Sequence, residues 1–195
     1  MGVSMDDALA RFCKGDMEAL SEVVERCQGR LYGYLARIVH DPATAEDLFQ
    51  QTWVRVAEKI KSYDRKRSFE VWLFTIARNL ALDFLRRYRP ESLDEPLPSG
   101  GSRMEFLASS EPGALEVILG EENAGYLERA VKHLPVIYRE VLALRFEEEL
   151  KLEEIAAVLA VPLSTVKSRL RRALEELRQT LPGEVAKGLE HERAQ

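Results

Sequence analysis

Across residues 151–178 apolar positions recur at intervals of three and four, in two runs divided by a short break. Leu152, Ile155, Ala156 and Leu159 make the first run; Leu163, Val166, Leu170, Leu174 and Leu177 make the second. This is the spacing of two amphipathic helices, each turning one face to a core. Val161 and Pro162 occupy the break and predict a tight turn. Upstream, Phe49, Trp53, Val56 and Ile60 predict a helix over 45–61, with Asp47, Gln50, Gln51, Arg55 and Glu58 on its remaining surface. Asp41 and Pro42 precede it in the manner of an N-cap and a first helical residue. A further helix carries Trp72, Phe74, Ile76, Leu80 and Phe84 and ends in Arg86, Arg87, Tyr88 and Arg89. Trp53 and Trp72 share stripes with aliphatic neighbours and are expected in the core. No run of alternating β-branched residues suggests a sheet, so the expected fold class is all-α.

The helical pattern stops at 90–113, where four of the eight prolines fall (Pro90, Pro96, Pro98 and Pro112), with Gly100 and Gly101 among them. Between 91 and 113, Glu91, Asp94, Glu95, Glu105 and Glu111 stand against Arg103 alone. Such a segment buries too little apolar surface to fold by itself. The expected organisation is two helical domains, 1–90 and 123–182, joined by a flexible acidic linker over 91–122 and followed by a polar tail over 183–195.

With 46% hydrophobic and 31% charged residues, a chain of 195 residues has the composition of a soluble globular protein with room for such cores. The longest strongly apolar stretch, 71–77, is too short to span a bilayer, and the opening residues, with Asp6, Asp7 and Arg11, lack a signal-peptide core. A cytoplasmic location without direct membrane insertion is expected. Cys13 and Cys27 lie on a helical pattern and read as small buried residues, with a redox pair as the alternative. His40, His133 and His191 sit in no ligand motif, and no phosphate loop, nucleophile elbow or metalloprotease signature occurs. No catalytic residue, metal or cofactor is therefore expected, and the chain does not read as an enzyme.

Candidate chemistry lies in the placement of the cations. On the second helix of the 151–178 hairpin, Ser164, Lys167, Ser168, Arg171 and Arg178 fall opposite the apolar stripe, with Arg169, Arg172 and Glu175 at its flanks. A helix-turn-helix with hydroxyls and cations facing outward suits the major groove, where cations reach phosphates and guanine edges. A hairpin with a merely solvated basic face has the same pattern. The loop 61–69, KSYDRKRSF, is the most basic in the chain and contains Tyr63 and Phe69. Followed by a helix presenting Arg78, Asn79 and Asp83, it fits single-stranded DNA, with aromatic faces for bases and guanidiniums for the backbone. The terminal arginines of that helix also have a plain explanation in its dipole. A net charge of −5 argues against strong DNA binding by the chain alone, because phosphate affinity needs local positive charge.

Two blocks in the first module, DPATAEDLFQQTWVRV and SFEVWLFTIARNLALDFLRR, and two in the second, LPVIYREVLALRF and EEIAAVLAVPLSTVKSRLRRALEELR, closely resemble the sigma-70 family of RNA polymerase sigma factors. The resemblance is to the small extracytoplasmic-function group and covers most of the chain outside the linker and the ends. It implies a factor that binds core RNA polymerase, through the β′ clamp helices and the β subunit, and directs it to promoters. Asp47, Leu48, Gln50, Gln51 and Arg55 would then dock on the polymerase. Tyr63, Arg65, Lys66, Arg67, Phe69, Arg78, Asn79, Asp83, Arg86 and Arg87 would recognise and help melt the −10 element. Ser164, Thr165, Lys167, Ser168, Arg171 and Arg172 would read the −35 element. The resemblance also implies an anti-sigma factor as partner, and a linker that threads toward the RNA path of the polymerase. The acidic net charge is then intelligible, since polymerase would supply much of the DNA affinity. Proline at 162 departs from the usual N-cap, Leu163 and Ser164 stand where relatives often carry glycine, and Trp53 stands where phenylalanine is common. The alternative is a stand-alone helix-turn-helix regulator, which would leave the first module without a role.

Overall fold

The computed structural model describes residues 4–88 and 124–181, so the acidic segment expected as a linker and the tail lie outside the described residues. Four helices build the first module: α1 (Met5–Cys13), α2 (Met17–Val39), α3 (Pro42–Lys59) and α4 (Phe69–Tyr88). A 3-10 turn, Ile60–Ser62, follows α3. The second module holds α5 (Ala124–His133), α6 (Val136–Leu142), a π turn over Ala143–Glu147, α7 (Leu152–Leu159) and α8 (Leu163–Thr180). There is no strand among the described residues, and the fold is all-α with two helical domains.

Local chemistry sets the helix ends. The Asp16 carboxylate accepts from the N–H groups of Glu18 (3.0 Å) and Ala19 (3.3 Å) at the start of α2. Asp41 does the same for Thr44 at 2.8 Å, with Pro42 as first residue, so α3 begins three residues earlier than its apolar stripe indicates. α2 stops where His40 turns left-handed at φ 54°, and α7 stops at Ala160 with φ 52°. That left-handed alanine makes the sharp turn between α7 and α8. Pro162 precedes α8 without a side-chain cap, and its carbonyl accepts from Thr165 at 2.9 Å. Pro162 lacks an N–H and favours an extended backbone before the helix.

α2 is the spine of the first module. Its Leu31, Tyr34, Leu35, Ile38 and Val39 are buried, and Tyr34 meets Phe74 of α4 edge to face at 5.3 Å between ring centres. Each such aliphatic side chain contributes about 1.5–3 kcal/mol on burial. Trp53 is buried as expected, while Trp72 is half-buried among aromatic neighbours. In the second module Ile155, Val158 and Leu159 of α7 join Val166, Ala173, Leu174 and Leu177 of α8.

The two modules are in contact. α7 packs against α4, and α6 and the π turn pack against α2.

Candidate nucleic-acid interface

α8 is the second helix of the helix-turn-helix. Its apolar side packs on α6 and α7, and Ser164, Lys167, Arg171 and Arg172 remain exposed on the other. Thr165 and Ser168 are half-buried, and the Ser168 hydroxyl donates to the Thr165 carbonyl at 2.9 Å. The Ser168 proton is thus engaged by the helix, and only its lone pairs face outward. Arg171 Nη1 lies 3.3 Å from Glu175 one turn on, a solvated pair that holds little energy. Arg178, expected on the outer face, is half-buried instead.

The basic loop between α3 and α4 is a built turn. Asp64 accepts from the Lys66 N–H at 3.0 Å, its carbonyl accepts from Arg67 at 2.9 Å, and the Tyr63 hydroxyl donates to the Arg67 carbonyl at 2.6 Å. Lys61, Arg65, Lys66 and Arg67 are left exposed around it. The aromatic residues anchor this loop. Tyr63 lies 5.7 Å from Phe69 and 4.9 Å from Trp72 between ring centres, and Phe69 is only 3% exposed. The expectation that Phe69 offers a face to an unpaired base is therefore corrected. It is the first residue of α4, and its stripe turns it inward. Tyr63, half-buried, keeps part of its surface.

Along α4, Asn79, Asp83, Arg86, Arg87 and Tyr88 are exposed, with Phe84 stacked on Tyr88 at 4.8 Å. Arg78 is not. Its side chain is 14% exposed, and its guanidinium faces Glu140 of α6, with Nε 2.8 Å from Oε1 and Nη2 donating to Oε2 at 3.4 Å. The expected exposed cation is thus paired inside the contact between modules.

Two family descriptions match in chain order, Sigma-70 region 2 over residues 23–91 and Sigma-70, region 4 over residues 124–177. The ECF RNA polymerase sigma factor SigW of Bacillus subtilis is 31% identical over 171 residues, spanning 86% of this chain and 91% of SigW. The chain belongs to the extracytoplasmic-function (ECF) sigma factors. This sigma factor also shares its fold with two solved structures. CnrH in complex with the cytosolic domain of CnrY superposes with a TM-score of 0.65 at 22% identity, covering 89% of this chain and 94% of CnrH. The sigma factor RpoE in complex with the anti-sigma factor NepR from Bartonella quintana gives 0.61 at 21% identity, covering 82% and 94%. The factor is a promoter-directing transcription initiation factor with sigma region 2 and region 4 domains.

On α3 of the sigma factor, Asp47, Gln50, Gln51 and Arg55 form an exposed polar strip, joined by Val54, which is 58% exposed. Leu48 departs from the expected docking set. It is 3% exposed and packs in the core, because it falls on the same helical face as Thr52, whose hydroxyl donates back to its carbonyl at 2.7 Å. Val54 was missed because an isolated valine among polar residues gives no periodic signal.

Sequence reasoning also missed a set of polar contacts across the modules. Arg30 donates from Nε to Glu148 Oε2 at 2.9 Å and from Nη2 to the Glu148 carbonyl at 2.8 Å. Arg37 Nη1 lies 2.6 Å from Glu147 Oε1, and Arg139 donates to the Ile38 carbonyl at 3.3 Å. Burial pushes the Glu148 carboxyl up to about 7, opposed by Arg30 and Arg37, and raises Glu140 against Arg78, Arg169 and Arg139. Cys27 is buried, which pushes its thiol up to about 11 and keeps it protonated at neutral pH; Cys13 is half-buried and also free. Among the described residues no group of His, Cys, Asp and Glu is arranged to hold a metal, and no helix is long and apolar enough to cross a membrane.

Proposed function

We propose that this factor docks on core RNA polymerase through the α3 strip, reads and helps melt the −10 element with α4 and its preceding loop, and reads the −35 element with α8. The observation that carries this reading is the exposed row Ser164, Lys167, Arg171 and Arg172 on the second helix of a helix-turn-helix. A recognition helix enters the groove N-terminus first, which favours Lys167 and Arg171 as base readers over Arg178. Arg172, Arg86 and Arg87 suit phosphates, which position without specifying. Asn79 suits a base edge, since its amide both donates and accepts. Arg65, Lys66 and Arg67 offset the cost of holding an unstacked strand.

The polar strip with one exposed valine on α3 suits an interface made and broken in each initiation cycle. The β′ clamp helices and the β subunit are the proposed contacts. The domains are proposed to meet these partners from residues 1–90 and 123–182, with 91–122 between them. The factor carries out no reaction itself and works in the cytoplasm. An anti-sigma factor is a further proposed partner, in line with the NepR complex of the Bartonella protein.

Run-off transcription from genomic promoter fragments, with core polymerase and with or without the factor, tests this reading. Discrete new starts that vanish on Arg171→Ala and Asn79→Ala are expected. A folded factor that fails to bind core would defeat the reading and favour a stand-alone regulator.

A further inference from the structure

The loop between α3 and α4 gathers charge that electrostatics alone would scatter. Across 61–69 four cations, Lys61, Arg65, Lys66 and Arg67, stand against Asp64. All four are exposed, and the pair between Asp64 and Arg67, at 3.8 Å, is solvated and weak. Like charges within a Debye length of about 8 Å repel, so this turn spreads unless the protein holds it.

Helix chemistry fixes both ends of the loop. The Ser62 hydroxyl donates to the Lys59 carbonyl at 2.7 Å, and Ser68 Oγ accepts from the Val71 N–H at 3.3 Å at the start of α4. The middle is held differently. The Tyr63 ring lies edge-on to Phe69 and tilted against Trp72, at 5.7 Å and 4.9 Å between ring centres, separations at which aromatic pairs attract. That seating aims its hydroxyl across the turn, where it donates to the Arg67 carbonyl at 2.6 Å. Burial, and behind it the Glu70 carboxylate, pushes the phenol up, so the proton stays in place to be donated. The bond draws the Arg67 backbone back toward Tyr63. Together with the Asp64 turn it fixes where Arg65, Lys66 and Arg67 leave the surface.

Resting on the proposed promoter role, we propose that Tyr63 is a positioning residue, whose seated ring and hydroxyl hold Arg65, Lys66 and Arg67 together as one preformed cationic surface for the unpaired −10 strand. Tyr63 thus serves the strand through the backbone of the loop rather than by a contact of its own. A loop ordered beforehand loses less entropy when the strand arrives, so more of the charge attraction appears as affinity. Phenylalanine at this position keeps the ring and loses the bond to Arg67, which separates packing from positioning.

The test compares wild type, Tyr63→Phe, Arg65→Ala/Arg67→Ala and Tyr63→Phe/Arg65→Ala/Arg67→Ala as full chains. Circular dichroism reports folding, and amide hydrogen exchange at 65–67 in the free chain reports the bond to Arg67. The functional probe is a single-stranded oligonucleotide with the non-template −10 sequence of a promoter found by run-off transcription, titrated into the factor bound to core polymerase. The expected result is unchanged helicity and core affinity in Tyr63→Phe. Exchange at 65–67 should be faster by about two- to tenfold, the net effect of one hydrogen bond. Strand affinity should fall by up to the same factor, because fewer loops are competent to bind. Most of that loss should disappear when Tyr63→Phe is made in Arg65→Ala/Arg67→Ala. Equal exchange in wild type and Tyr63→Phe overturns the tie. Faster exchange with equal strand affinity overturns the positioning role, as does a loss of the same size in both backgrounds, which would not run through the loop cations. Failure of every form to bind the strand overturns the promoter reading and the positioning role with it, while exchange still reports whether the tie exists.

Discussion

Arg78 and Glu140 stand 62 residues apart in the chain, yet the guanidinium Nε of one lies 2.8 Å from the carboxylate Oε1 of the other. Both side chains are nearly out of solvent, at 14% and 1% exposure. Their partnership makes one residue of the proposed −10 surface a structural element of the contact between modules.

Removing one partner is expected to cost much more than removing both. Arg78→Leu leaves Glu140 with less compensation and should destabilise by roughly 3 kcal/mol; Glu140→Leu strands Arg78 and should cost as much or more. Arg78→Leu/Glu140→Leu together should approach wild type. Urea unfolding of the three variants checks this. Single and double changes that simply add would show an uncoupled, solvated pair.

Folding stability should fall as pH rises through the Glu148 range. With its carboxyl at about 7 in the folded protein against the ordinary 4.5 of an unfolded chain, the folded form holds a proton that the unfolded form has given up between those values. Stability of the packing therefore falls as pH rises from 4.5 to 7, by about 3 kcal/mol at most, and is flat for this group outside that window. Glu140, also raised by burial, acts in the same direction. Urea unfolding between pH 5 and 8 reads the slope, and the Glu148→Gln variant should flatten it. A slope of opposite sign would sink the assignment.

Phe69 and Arg65 should separate structural from contact roles in the basic loop. Phe69→Ala empties a buried aromatic site and should destabilise by about 3–5 kcal/mol, whereas Arg65→Ala on the exposed turn should stay within about 0.5 kcal/mol. Thermal unfolding reads both. A Phe69→Ala variant of unchanged stability but defective melting would restore Phe69 to the DNA surface.

On α8, Arg171→Ala should lower binding of polymerase holoenzyme to its best promoter by about 1–3 kcal/mol and relax preference at one −35 position. Arg172→Ala should weaken all promoters alike and reduce the salt dependence by about one charge. Competition between promoter variants at two salt concentrations distinguishes them. Equal, sequence-blind losses from both would remove Arg171 from base reading.

The Asp41 cap is a simpler check on local structure. Asp41→Ala removes the acceptor for the Thr44 N–H and should cost about 1 kcal/mol, seen as a lower urea midpoint with an unchanged slope.

Much of this was legible in the residues alone. Apolar spacing placed α3, α4, α7 and α8, and Asp41 with Pro42 marked where α3 begins. The exposed cations at 167 and 171 also followed from the helical period, because both fall opposite the stripe, whereas Arg178 on the same face is half-buried and Arg172 at the flank is exposed. Less legible was the π turn over Ala143–Glu147, whose composition resembles ordinary helix. The left-handed Ala160 was likewise hidden, since alanine gives no turn signal.

Periodicity thus specified helices, their inward faces and the order of the two modules, because these depend on neighbours within a few residues. The fate of individual polar residues depended on chain segments far away. Arg30 meets Glu148 across 118 residues, and Arg78 meets Glu140 across 62. Phe69 and Leu48 turn inward because their helices lie against others, and no local pattern states which helix that will be. The contact between modules is likewise a matter of tertiary packing. Charge pairing is nearly indifferent to sequence separation, so these pairs exist only where the fold brings carboxylates and guanidiniums within a few ångströms.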